Sequence, residues 1–484
     1  MTSIVLESVI CDCFAKSTHY QITTIAGRAK MRKKIIAQRS IFDQSIDQLN
    51  TLIRPERIFK QMDAIIDQND GIVARIHKQL TDNVSNKGCR GMSAEQIFRV
   101  ALVRHLKQYS WRELAERLND GICLRWFTRF YSAPIPHYTT LQKAVRAIDA
   151  DLWSMINDDL VEFAKMQKLE KGRLVRADTT VVETNIAYPT DARLLWDSVR
   201  VLTRTMERIG HQMPLFDFGF ADRRRCCKKL CYKITMVKGP KADKTRLKLY
   251  RRLIRVANEV FEMGCNCLRW APDSDNLVVM ALLEKLDDFL TLSAVAIDQC
   301  ERRVIQNEKV PASEKIVSVF EHHTDIIRRG KTSCPTEFGH KVNFVTGKSG
   351  LITQYQVLRG NPGDNELMDD ILEKHRQQYG RVPDKLSADR RYFSAANESK
   401  SYEAGVKHVS ICKPGYRSEQ RRQIEKEGWF KKLQKFRAGI EGIISGLMRG
   451  LGLKRCIWKG WQAFKRYVGL SVVTFNLRKM AMLI

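Results

Sequence analysis

The chain has 484 residues, 44% of them hydrophobic, and carries 83 Lys and Arg against 54 Asp and Glu, a formal net charge of +29. That length predicts two to four domains at roughly 150 residues each, and the basic surplus favours a polyanionic partner, because Lys and Arg that meet phosphates release counterions. No run of about 18 apolar residues is present, so no membrane-spanning helix is expected; the start lacks a basic-then-apolar leader, which argues against export, and 13 Cys without zinc-site spacing read as reduced thiols.

In chain order, residues 1–30 show no helical period and are expected to be a disordered extension, with a basic run beginning at Met31-Arg32-Lys33-Lys34. From about 42 to 170 the pattern is helical. Ser93-Ala94-Glu95-Gln96 resembles a capped helix start, with Ile97, Val100, Ala101 and Leu106 following near helical spacing. Trp111-Arg112-Glu113-Leu114 and Thr139-Thr140-Leu141-Gln142 mark two further helix starts. Short helices joined by tight turns fit a helix-turn-helix module that docks in a DNA groove, or a plain helical bundle. Residues 173–186, rich in Val and Thr, read as a strand that ends at Pro189-Thr190-Asp191. Thr190 then caps a long helix with Leu195, Val199, Leu202, Met206 and Ile209 on one face. Helical, basic sequence continues to about 310. A strand pair follows at His340–Thr346 and Leu351–Arg359 around a Gly347-Lys348-Ser349-Gly350 turn, then a loop at 360–364. A helix at about 366–379, strands at 384–389 and 406–412, and C-terminal helices complete the chain. With an insert at 191–335 set aside, the order is β-β-β-α-β-β-α, which suits a mixed α/β sheet with helices on its faces.

Three carboxylates carry the chemistry. Asp178 sits in mid-strand, where Asp is disfavoured; metal ligation is one reason for it, and a salt bridge to Arg173 or Arg176 is another. Asp389 ends a short strand, where a carboxylate faces a crevice, and the following Arg390 and Arg391 either hold phosphates or pair with it. Glu441 flanks a helical apolar stripe of Ile440, Ile443, Ile444 and Leu447, in a row with Arg437, Ser445 and Arg449 at i, i+4 spacing. Glu183 lies five residues past Asp178, so strand alternation turns it to the opposite face. Two Asp and a Glu far apart in sequence suit two hard cations such as Mg²⁺, with Mn²⁺ as a substitute, stabilising the attacking and leaving oxygens of a phosphodiester. Residues 417–466 hold 14 Lys and Arg against 4 acidic residues, interleaved with Trp429, Trp458, Trp461, Phe464 and Tyr467. Such a mixture fits phosphate contact and base stacking, or, for the aromatics, a core. Arg390, Arg391, Arg437, Arg449, Lys454, Arg455 and Lys459 are the candidate DNA contacts.

The block Arg176-Ala177-Asp178-Thr179-Thr180-Val181-Val182-Glu183-Thr184-Asn185-Ile186, with Tyr188-Pro189-Thr190-Asp191 after it, resembles the first-Asp block of bacterial insertion-sequence DDE transposases, closest to the ISNCY group. Ser318-Val319-Phe320-Glu321 with Gly339-His340-Lys341 resembles that group's middle block. Asp389 with Tyr392-Phe393-Ser394 resembles the second-Asp block, and Gly439-Ile440-Glu441-Gly442 with Gly452-Leu453-Lys454-Arg455 the Glu block. The chain departs from many of these proteins at Met448 and at Arg390-Arg391. The resemblance implies an RNase H-like α/β catalytic domain over 171–484 with a helical insertion. An all-α, helix-turn-helix-like domain over 31–170 would precede it and bind terminal inverted repeats. It also implies Asp178, Asp389 and Glu441 as the metal-binding triad, double-stranded DNA as partner, a homo-oligomeric synapse, and a cytoplasmic, nucleoid-associated protein. Water would attack at the transposon end, and the freed 3′-OH would then attack target DNA. A structure-selective, metal-dependent nuclease and a non-catalytic DNA-binding regulator are the competing readings; the three intact carboxylates argue against the second.

Overall fold

The computed structural model describes residues 33–35, 56–82, 91–328 and 335–484; the expectation for residues 1–30 lies outside them. The described residues divide into two compact units, one within Ile186–Ile326 and the other within Arg28–Asn185 and Ile327–Ile484.

The larger unit is built on a strand whose two faces are both covered, β1 (Leu174–Thr184). Its Val- and Thr-rich sequence suits such a position. On one side β1 pairs antiparallel with β3 (Thr336–Thr346), which pairs antiparallel with β4 (Ile352–Val357). On the other side β1 runs parallel to β5 (Lys385–Ala388), and β5 parallel to β6 (His408–Ser410). Two short strands were not read from sequence: β2 (Asp325–Arg328), next to β3 and within the stretch expected to be insert, and β7 (Arg455–Cys456), parallel to the end of β1. The mixed sheet is therefore as expected, with more strands.

Seven helices precede β1 among the described residues: α1 (Arg57–Asp67), α2 (Asp70–Thr81), α3 (Ala94–Lys107), α4 (Trp111–Asp120), α5 (Ile122–Phe127), α6 (Tyr138–Arg146) and α7 (Ala150–Met166). The capped start at Ser93 is a capping box: the Gln96 N–H donates to Ser93 Oγ at 3.1 Å and the Ser93 N–H to Gln96 Oε1 at 3.0 Å. These helices share one hydrophobic core with a face of the sheet and with the last helix of the chain; Phe98, Trp153, Val182, Phe344 and Leu477 all belong to it. Arg99, wholly buried, is held there by Asp63 at 2.5 Å, Asp67 at 2.6 Å and Glu95 at 2.9 Å, so these charges serve packing. The opposite face of the sheet packs Val175, Ala177 and Leu386 against Met368, Ile371 and Leu372.

The other unit is helical: α8 (Asp191–Gln212), α9 (Arg224–Met236), α10 (Ala242–Trp270) and α11 (Leu277–Cys300). Thr190 Oγ1 accepts from the Arg193 N–H at 3.2 Å, and Leu195, Val199, Leu202, Met206 and Ile209 are buried together against Leu253, Val260 and Leu286.

The larger unit continues after β4 with α12 (Met368–Tyr379), α13 (Ala395–Glu403), α14 (Glu419–Lys426), α15 (Gly428–Ser445) and α16 (Trp461–Leu483). Among the described residues no helix is long and apolar enough to cross a membrane.

Candidate active site

Parallel pairing of β1 with β5 sets the first two carboxylates side by side. Ala177 is in register with Ala388, and Asp178 and Asp389 are each the next residue. Asp178 Oδ1 accepts the Thr179 N–H at 2.8 Å. Asp389 opens the single 3₁₀ turn Arg390–Tyr392; that turn is pinned by Tyr392, fully buried, whose hydroxyl donates to Asn343 Oδ1 on β3 at 2.8 Å.

The third carboxylate arrives on α15, which lies across β1 and β5. Side chains of the sheet hold the helix through its backbone carbonyls: Ser387 Oγ donates to Leu433 O and Ser410 Oγ to Phe430 O, each at 3.1 Å. Arg176 reaches across to Phe436 O. Gly439 leaves room for the Arg176 guanidinium, which a Cβ at that position would displace.

The residue that joins the three is Arg437. Its guanidinium lies 3.7 Å from Asp178 Oδ2, 4.0 Å from Asp389 Oδ1 and 3.9 Å from Glu441 Oε1. The side chains of Asp178 and Arg437 are each 19% exposed, and that of Glu441 is 70% exposed. These are long ion pairs rather than hydrogen bonds. One guanidinium stands among three carboxylates, so negative charge is gathered at one place. As they stand, no three His, Cys, Asp or Glu among the described residues enclose a metal-sized site. The donor set is nonetheless all oxygen and gathered about one positive group, the chemistry that a hard cation takes.

The remaining sequence candidates fall into place as follows. Asp178 meets Arg437; of the two arginines read from sequence as its partners, Arg173 approaches Asp384 at 4.0 Å and Arg176 donates to Thr346 Oγ1 at 2.9 Å. Asp389 meets Arg437, and Arg390 and Arg391 are exposed on the turn after it. Arg449 is exposed and donates to Ser445 Oγ at 2.9 Å. Lys454, Arg455 and Lys459 are exposed, but Arg455 is committed to Glu183 at 2.8 Å. Trp458, Phe464 and Tyr467 are buried in the core, so these aromatics are no stacking surface; Trp429 and Trp461 are half-buried. Sequence reasoning missed Arg437 as the centre of the cluster, although its i, i+4 relation to Glu441 was legible. It also missed the Tyr392–Asn343 anchor, which no local signal announces.

Comparison with known families bears on this arrangement. Residues 47–147 match a family model described as a transposase domain, and residues 316–477 match one described as a transposase DDE domain. Neither a curated protein nor a solved structure matches the chain. The two matches support an insertion-sequence transposase, and the chain is an enzyme of the metal-dependent DDE class.

Proposed function

We propose that this transposase, of a kind with the ISNCY group, binds the terminal inverted repeats of its element, cleaves DNA there and joins the freed 3′-OH to target DNA. The observation that carries the chemistry is the approach of Asp178, Asp389 and Glu441 to one shared cation, the Arg437 guanidinium, at 4.0 Å or less. In this reading the three carboxylates hold Mg²⁺, or Mn²⁺, in an RNase H-like domain over 171–484 with its insert at about 191–335. Bound there, two such ions would polarise the phosphodiester and lower the pKa of an attacking water. The protein's own part is positional. The parallel β1–β5 register holds Asp178 beside Asp389, and α15 presents Glu441. Arg437, released from the carboxylates, becomes available to a phosphate oxygen as a bidentate donor.

The helices over 31–170 would recognise the repeats, and exposed Arg390, Arg391, Arg449, Lys454 and Lys459 would follow the DNA backbone. Both ends must be processed together, so a homo-oligomer on DNA is expected, in the cytoplasm with the nucleoid. The deciding experiment incubates the full chain and Mg²⁺ with a pre-cleaved end bearing a 3′-OH and a target plasmid. Covalent joining supports the proposal. Cutting of intact ends without joining would leave a nuclease, and end binding without either reaction a regulator.

A further inference from the structure

Beside Glu441 the larger unit contains a cavity of about 420 Å³ whose wall includes Arg176, Lys348, Arg478 and Lys479 and no carboxylate. Its apolar lining includes Phe475 and Ile443. Among the described residues none of these four cations has an ion-pair partner. Arg176 is the telling one. It is nine-tenths buried, its hydrogen bonds go to neutral oxygens on Thr346 and Phe436, and burial lowers its pKa. A buried guanidinium without a counter-ion is costly unless an anion arrives. The turn that carries Lys348 is fixed as well: Glu170, itself buried, accepts from the Ser349 N–H at 3.0 Å and from its hydroxyl at 2.5 Å. The cavity shares Gly442, on α15, and Gly446, just after it, with the groove that Glu441 lines. Gly442 borders both, and a Cβ there would meet nothing within 4 Å.

We propose that this cavity binds unpaired DNA: a nucleotide of a single-stranded segment running past Glu441, with its phosphate among the four cations and its base against Phe475 and Ile443. A cationic groove with an aromatic wall is the chemistry that holds single strands without sequence preference, and the volume lies in the range of pockets that enclose small ligands. Duplex DNA has its bases stacked inside and offers the apolar wall nothing. The inference rests on the proposed DNA chemistry at the neighbouring carboxylates.

The test measures, on the full chain, anisotropy of a short labelled single-stranded oligonucleotide and of a blunt duplex of the same sequence. Three proteins are compared: wild type, Arg478→Ala with Lys479→Ala, and Gly442→Leu, which adds bulk at the cavity's wall without removing charge. Both variants should lose about tenfold in single-strand affinity and less in duplex affinity, with unchanged melting temperature. If the double variant fails to fold, Gly442→Leu decides. Equal losses for single strand and duplex, or no loss, would overturn the proposal. So would displacement of the oligonucleotide by inorganic phosphate as effectively as by a deoxynucleoside monophosphate, since the base would then contribute nothing. Absence of end cleavage with single-strand binding intact would sink the transposition reading and leave this one standing.

Discussion

Arg437 is surrounded by the three side chains that define the candidate site, and its role sorts the consequences of changing each of them. Asp178→Asn, Asp389→Asn and Glu441→Gln keep shape and remove charge. Each is expected to abolish Mg²⁺-dependent cleavage and joining while end binding, carried by the basic surplus, stays within about twofold. Glu183→Gln is the control. It breaks the ion pair with Arg455 on the other face of β1 and should cost far less, because an exposed pair contributes about 1 kcal/mol or less. A gel-shift beside a cleavage assay on one end fragment decides; a triad variant that cuts like wild type would refute the assignment. Arg437→Gln makes a separate prediction. Without the guanidinium the carboxylates repel one another, so the metal-free protein should melt lower, and divalent cations should bind tighter and restore the melting temperature. Calorimetric titration with Mn²⁺ in the absence of DNA checks this; unchanged or weaker metal affinity would show that Arg437 does not compete for the site.

At the level of elements, the site is assembled from a strand interior, a strand end and a helix, and what holds those pieces in place lies outside the motifs. Tyr392 fixes the turn that carries Asp389 by donating to Asn343 on β3. Tyr392→Phe leaves Asn343 Oδ1 short of a donor in the core, and should cost about 1–3 kcal/mol. Cleavage should fall more than DNA binding, because the turn loosens while the basic surface is untouched. Urea unfolding and the same paired assays measure both; equal effects on cleavage and binding would point to general unfolding instead. The aromatic residues of the basic tail show how elements override local reading. Trp458 and Tyr467 are both 4% exposed and packed in the core, although in sequence they alternate with Lys and Arg as a stacking surface would.

Across the whole molecule, α16 is the piece that the helices before β1 and the sheet have in common. One of its joints titrates. His105 on α3 shares a hydrogen bond of 2.7 Å with Ser471 on α16, and burial, helped by the charge of Arg104, pushes its pKa down to about 3 from 6.5. The folded state therefore favours neutral imidazole. Its contribution is intact above pH 6.5 and is lost as pH falls toward 3, where the unfolded chain takes up a proton that the folded one refuses. Melting temperature should fall over that range, and His105→Gln should flatten the fall while lowering stability at neutral pH. An unchanged pH profile in the variant would assign the acid sensitivity elsewhere; His375, buried and pushed down to about 4, is the next candidate. What the sequence determined by itself was whatever nearest neighbours decide: the caps at Ser93 and Thr190, the strand holding Asp178, the buried stripe of α8, and the unusual carboxylates at Asp178, Asp389 and Glu441. These depend on backbone hydrogen bonding and periodicity within a few residues. Only the tertiary structure decided that one guanidinium stands among the three carboxylates, that Glu183 belongs to Arg455, and that Arg176 is buried without a counter-ion. It also decided that α16 is covered on nearly every side, so its sequence carries no amphipathic stripe to read. Those contacts join residues tens to hundreds of positions apart, and nothing in a local pattern encodes which distant side chain closes them.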